Sequence, residues 1–272
     1  MMTHQPFKFS NDTLLAAIVA LLLFVGSASW SAPAKSSPSI VTVAAASDLK
    51  FAIEEVASEF EKQTGHKLRL IFGSSGNFYS QLLQGAPFHL FMSADEVFVF
   101  KLAAANKTVD QGKLYAFGRI GLMVPKGSSI KTDAQLEGIA AALKSGKIKR
   151  FSIANPAHAP YGMRAKEALQ HVGLWSKIEP LLVLGENVSQ AAQFATSGST
   201  QGGIIAYSLA LAPQVARLGD FALIPENWHT PLAQRMVLMR DAPAGAQAFY
   251  DYLSTPAAQR IMIKYGFTMP RP

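Results

Sequence analysis

The chain of 272 residues is long enough for two compact lobes or one large domain, and its 49% apolar content supplies a sizeable core. It contains no cysteine, which excludes disulfides, thiolate metal sites, cysteine nucleophiles and the lipid-attachment cysteine of a tethered bacterial lipoprotein. The formal charge is +7, but the dense basic run "KSGKIKR" (Lys144, Lys147, Lys149, Arg150) has no interleaved aromatics and reads as a solvated helix end and loop, so no nucleic-acid partner is expected.

Residues 1–32 differ from the rest. Lys8 precedes an unbroken apolar run from Leu14 to Val25, followed by Gly26-Ser27-Ala28-Ser29. The run is too short to span a bilayer and suits the core of a secretory signal, with a cleavage site among the small residues near 26–32. The expectation is a signal peptide over 1–32 and a soluble, exported product. Lys8 and Asp12 leave together, so the charge belongs to the mature chain.

After the tether "SAPAKSSPS", strands and helices alternate. "SIVTVAAA" reads as a buried strand. A helix follows from Leu49, with Ala52, Ile53, Val56 and Phe60 on one face. "KLRLIF" is a second strand, Phe78 to Leu83 a short helix, "FHLFMSA" a third strand and 95–105 another helix. The middle region repeats this order. "YAFGRIGLMVP" is extended, 132–145 helical, "RFSIANP" a strand, and 161–172 a helix ended by Gly173. "PLLVL" is extended, Ser189 to Thr196 helical and "GGIIAYS" a strand. "FALIP" and "QRMVLMR" are strands, before helices over 243–254 and 256–265. This pattern predicts an α/β protein with a mostly parallel sheet in each of two lobes. The chain crosses between them near 117–122 and returns near 230–236. Lobe 1 is expected over 39–119 plus 234–272, and lobe 2 over 120–233.

Ligands of open α/β sheets bind where strands end and helices begin. Four such junctions stand out: Ala46-Ser47-Asp48, Gly73-Ser74-Ser75-Gly76, "NPAHAPYG" (155–162) and "GENVSQ" (185–190). A helix start carries about half a positive charge and unpaired N–H groups. The first turns at 76–79, 161–164 and 188–191 contain no carboxylate, which leaves them available to an external anion. Serine hydroxyls at 47 and 75 add donors, and Gly76 lets the backbone approach closely. Donors without a counter-charge suit a fully deprotonated oxyanion. Each serine alone also fits a plain helix cap.

An enzyme is the competing class. Ser47 and Lys50 have the Ser-x-x-Lys spacing of penicillin-interacting serine enzymes, but the companion Ser-Asp-Asn and Lys-Thr-Gly elements are absent. His66, His89, His158, His171 and His229 stand singly, without metal-ligand spacing, and read as surface or packing residues. Trp175 and Trp228 read as core.

The segments "VAAASDL", "FGSSGNFYSQLLQGAPFHLFMSAD", "ANPAHAPYGMRAKEAL", "GENVSQAAQF" and "FYDYLSTPAAQRIMIKYGF", in that order, resemble the periplasmic molybdate-binding proteins that feed ABC importers. The resemblance covers nearly all of 39–268. It implies a type II periplasmic binding protein fold, two lobes closing on a ligand in the cleft between them. It further implies a monomeric periplasmic receptor for molybdate or tungstate, with no cofactor, no catalysis and a membrane permease as partner. Carried over, Ser47 and Ser75 each bond the anion through hydroxyl and backbone N–H, and Tyr161 and Val188 offer backbone N–H groups. Another tetrahedral oxyanion such as sulfate, and a Ser47/Lys50 hydrolase, are the alternatives.

Two departures matter. Enteric members carry a tyrosine where this chain has Ala206. Tyr207 is adjacent, but one step along a strand turns a side chain to the opposite face, so Tyr207 reads as structural and the donor must come from elsewhere. The variant with "APYG" and "ENVSQ" is similar to a nitrogen-fixer-type branch that also lacks this tyrosine. Asp48 is the second departure. An ionised carboxylate facing a dianion is repelled, so its side chain is expected to point away, to the surface or to Lys50, while its N–H faces the ligand.

Overall fold

The computed structural model describes residues 1–3 and 40–271, and the expected signal peptide falls, beyond its first three residues, outside them. The chain runs through β1 (Val41–Ala46), α1 (Lys50–Thr64), β2 (Leu68–Gly73), α2 (Ser75–Leu83), β3 (Leu90–Ser93), α3 (Glu96–Ala104) and β4 (Lys113–Gly118). It continues through β5 (Ile120–Pro125), α4 (Glu137–Lys144), β6 (Phe151–Ala154), α5 (Pro160–His171), α6 (Trp175–Ile178), β7 (Leu182–Gly185) and α7 (Val188–Thr196). Last come β8 (Gly203–Ala206), α8 (Tyr207–Ala210), α9 (Pro213–Ala216), β9 (Gly219–Leu223), β10 (Leu232–Leu238), α10 (Ala244–Tyr252) and α11 (Pro256–Lys264).

The strands form two sheets with the same layout, β2-β1-β3-β10-β4 and β7-β6-β8-β5-β9. The α/β alternation reads as mostly parallel, but each sheet is mixed. In the first, β1 pairs in parallel with β2 and β3, while β10 pairs antiparallel with β3 and β4. In the second, β6 is parallel to β7 and β8, and β5 is antiparallel to β8 and β9. The antiparallel strands are those beside the two crossings between sheets, where no helix intervenes to turn the chain back. β1 is buried along its whole length, as a strand covered on both faces must be, and its VTVAAA run is accordingly apolar apart from Thr42.

Register brings the turns together. Ala46 pairs with Gly73, so β1 and β2 end level and release Ser47 and Ser74-Ser75 side by side. Ala154 pairs with Gly185 in the second sheet, which sets the loops after β6 and β7 side by side in the same way.

Three local readings differ from the structure. "YAFGRIGLMVP" is two strands in different sheets, separated at Arg119. The helix expected from 132 begins only at Glu137, because Leu136 has φ 59° and the Asp133 carboxylate accepts the amides of Gln135, Glu137 and Gly138. Tyr207 and Ser208, read as the end of a strand, open α8.

Candidate functional site

Ends of strands and starts of helices from both sheets enclose one small cavity, lined by residues that include Ser47, Asp48, Ser74, Ser75, Tyr161 and Val188. Its volume is only about 10 Å³. That is far below the roughly 300–1,000 Å³ of pockets for organic ligands. The four residues expected to bind, Ser47, Ser75, Tyr161 and Val188, all line it, and all are buried.

Each residue arrives there for a local reason. Ser47 follows β1 and opens a 3-10 turn, Ser47–Leu49. Ser75 is the first residue of α2, whose cap is Ser74, with its hydroxyl accepting the Asn77 amide at 3.4 Å. Tyr161 follows Pro160, which opens α5 with its φ already set for a helix and no N–H to leave orphaned. Val188 opens α7 behind the Asn187 cap. Tyr161 and Val188 therefore lie in first turns, where backbone N–H groups have no partner within the helix. The first turns of α2, α5 and α7 contain no acidic residue. Three helix starts thus direct partial positive charge at one point.

The two hydroxyls are held in the same manner. The Ser75 oxygen accepts the Ala94 amide at 2.9 Å, and the Ser47 oxygen accepts the Ser189 amide at 3.3 Å. Among the described residues no acceptor takes either hydroxyl proton, so each serine keeps its proton for donation into the cavity.

Asp48 departs from expectation. It is neither at the surface nor paired with Lys50: it is 1% exposed, and its Oδ2 accepts Tyr161 Oη at 2.9 Å and Gln234 Nε2 at 2.6 Å. Gln234 Oε1 in turn accepts Tyr115 Oη at 2.7 Å, which fixes the amide's orientation. Burial pushes the Asp48 carboxyl up to about 6, although the Gln234 and Tyr161 hydrogen bonds and the amides of Asp48 and Leu49 oppose the shift. Burial likewise drives the hydroxyls of Tyr161 and Tyr115 well above the usual tyrosine range, with the neighbouring Asp48 adding to it, so both stay neutral donors. The physical reason the expectation failed is that a folded hydrogen-bond network, invisible along the chain, makes burial tolerable.

Other contacts cross between the elements of the two sheets. The Gly76 amide donates to His158 O at 2.9 Å, and Ser74 Oγ lies 2.9 Å from His158 Nδ1. Ser189 Oγ donates to Ser47 O at 2.8 Å, and Ser208 Oγ to Asp48 O at 2.7 Å. Arg164 pairs with Asp95 at 2.5 Å, and Asn77 bonds Glu186. His158, read from the sequence as surface or packing, is thus a contact across the cavity mouth. Gln234 was also missed. Its signal was a polar residue sharing the buried face of β10 with Leu232, Met236 and Leu238. Ala206 is buried at the end of β8, and Tyr207 stacks on Phe221 at 5.5 Å, in line with a structural role. The Lys50 amide donates to the Ser47 carbonyl, whereas the Lys50 ammonium lies over the Phe51 ring, 5.7 Å from its centroid, and makes no hydrogen bond to the Ser47 hydroxyl among the described residues.

The chain matches the family model of bacterial extracellular solute-binding proteins over residues 41–268. It is 35% identical over 265 residues to the molybdate-binding protein ModA of Rhodobacter capsulatus, covering 94% of this chain and 97% of that protein. To the molybdate-binding protein ModA of Azotobacter vinelandii it is 36% identical over 231 residues, 84% of this chain and 89% of that one. A solved structure of the Azotobacter vinelandii periplasmic molybdate-binding protein superposes with a TM-score of 0.77 at 27% identity, over 85% of this chain and 100% of that chain.

Proposed function

Because the chain belongs to the bacterial extracellular solute-binding protein family, we propose that it is a periplasmic receptor that binds molybdate and delivers it to an ABC importer. The observation that carries this is the convergence of Ser47, Ser75, Tyr161 and Val188 on one small cavity without a lysine or arginine in its lining. A fully deprotonated tetrahedral anion accepts hydrogen bonds at every oxygen, and the cavity offers two serine hydroxyls and the amides of three helix starts. Tungstate, with the same charge and shape, binds the same donors. Sulfate is set apart by size, since it too only accepts.

The half built on the first sheet and the half built on the second act as lobes that close on the anion, with the crossings at Arg119 and between β9 and β10 as hinges, so that all of β10 belongs to the first. Donors from both lobes reach one ligand only when the lobes meet, so the ligand binds the closed form better and shifts the population towards it. The protein works as a monomer, and export by residues 1–32 places it outside the cytoplasm. Binding without bond chemistry is also favoured by the partners of Ser47: a hydrolase would need the lysine on the serine hydroxyl, which instead accepts the Ser189 amide while the Lys50 ammonium lies over the Phe51 ring.

Thermal melts test the proposal. At a ligand concentration of about 100 times Kd, the folded state gains roughly 2.7 kcal/mol. Molybdate and tungstate should raise the melting temperature clearly, and sulfate and phosphate much less. A shift with phosphate and none with molybdate would overturn the reading.

A further inference from the structure

Asp48 places a carboxyl in the wall of the anion cavity and pairs it with no cation among the described residues. Its two oxygens are used unequally. Oδ2 accepts two donors, Gln234 Nε2, whose amide is oriented by Tyr115, and Tyr161 Oη, which itself accepts from Gln234 Nε2 at 3.1 Å. Oδ1 is buried with no side-chain or backbone partner of good geometry. A proton on Oδ1 therefore displaces neither of these donors.

Resting on the oxyanion reading above, we propose that the anion is taken up together with one proton, held on Oδ1 of Asp48. The step balances simply: a carboxylate, a dianion and one proton from solvent become a neutral carboxylic acid beside the bound dianion, with no other bond made or broken. Two like charges in one buried site repel strongly, and protonating the carboxyl removes the repulsion.

The surroundings supply no other charge to Asp48. Tyr161 faces it from α5, Gln234 from β10, Tyr115 behind Gln234 from β4, and Ser208 of α8 bonds its backbone carbonyl. All are neutral at physiological pH. The remaining titratable groups around the site are His158, beside Ser74, Glu186, 3.7 Å from the His158 ring, and Asp95 and Arg164, which pair with each other. Burial has already raised the Asp48 carboxyl to about 6, and a bound dianion moves it further in the same direction.

Titration calorimetry with molybdate at about pH 7.5, in buffers of different ionisation enthalpy, reads the protons taken up. The full-length mature protein is expected to take up close to one, and its affinity to fall about tenfold per pH unit above neutrality. Asp48→Asn carries a neutral side chain of the same shape and should show neither proton uptake nor that pH dependence. Zero uptake by the unaltered protein overturns the proposal, whether or not the variant folds. Uptake that persists in Asp48→Asn overturns it too, and points to His158. The absence of any binding heat, with the protein folded, instead removes the oxyanion reading on which the proposal rests.

Discussion

Ser75 shows how much one atom's partners matter. Its oxygen is committed to the Ala94 amide at 2.9 Å, so its proton is oriented before any ligand arrives. Its neighbour Ser74 caps α2 and reaches His158. Along the chain either serine alone fits a cap; the family resemblance makes Ser75 the donor and leaves Ser74 as a cap or packing residue, and Ser74 does cap α2. Ser75→Ala removes one charge-assisted hydrogen bond, about 1.5–3 kcal/mol, and should raise the molybdate Kd by roughly 10- to 150-fold. The same substitution leaves the buried Ala94 amide without its acceptor, so melts without ligand should also fall. Calorimetry on the folded variant separates the two effects, and unchanged affinity would show that the anion sits elsewhere.

At the scale of elements, α2 meets the loop after β6 through a glycine. A Cβ at Gly76 would lie 2.5 Å from His158 O, while the Gly76 amide donates to that same oxygen. Within a helix, alanine is better than glycine by about 1 kcal/mol. Gly76→Ala should therefore leave the ligand-free melt unchanged or slightly raised while weakening molybdate binding, because the clash exists only where the lobes meet. Calorimetry and melts on one preparation check both halves, and a variant that binds normally would place no demand on this contact. Elements with strong local signals were legible. The buried β1, the amphipathic α1 and the helices expected from 161 and 189, which begin one residue earlier at Pro160 and Val188, follow from composition and spacing. The start of α4 was not, because its Asp133 turn overrides a helical pattern. Nor was the division of residues 115–125 into β4 and β5, since a strand that changes sheet looks continuous along the chain.

For the whole molecule, the contacts across the cavity form a latch in which Tyr161 belongs to one half and Asp48, Gln234 and Tyr115 to the other. The hydroxyl of Tyr161 donates to Asp48, while its amide is the group proposed to meet the anion. Tyr161→Phe keeps the amide and deletes the hydroxyl, leaving the buried Asp48 carboxyl one donor short at a cost of about 1–3 kcal/mol to the closed form. X-ray scattering should show the variant compacting at higher molybdate concentrations than the unaltered protein, with a matching loss of affinity. Identical titrations would mean that closure does not depend on this bond.

The sequence by itself determined the α/β alternation, the junctions that could receive an anion, the absence of carboxylates in three first turns, and the family through five ordered segments. These are properties of short stretches, where composition, spacing and caps act locally. Only the tertiary structure decided that the four junctions meet in one cavity. It also turned Asp48 inward onto Tyr161 and Gln234 and made His158 and Gln234 part of the site. Those partners lie more than 80 residues apart along the chain, so only strand register and the meeting of two sheets bring them within hydrogen-bonding distance.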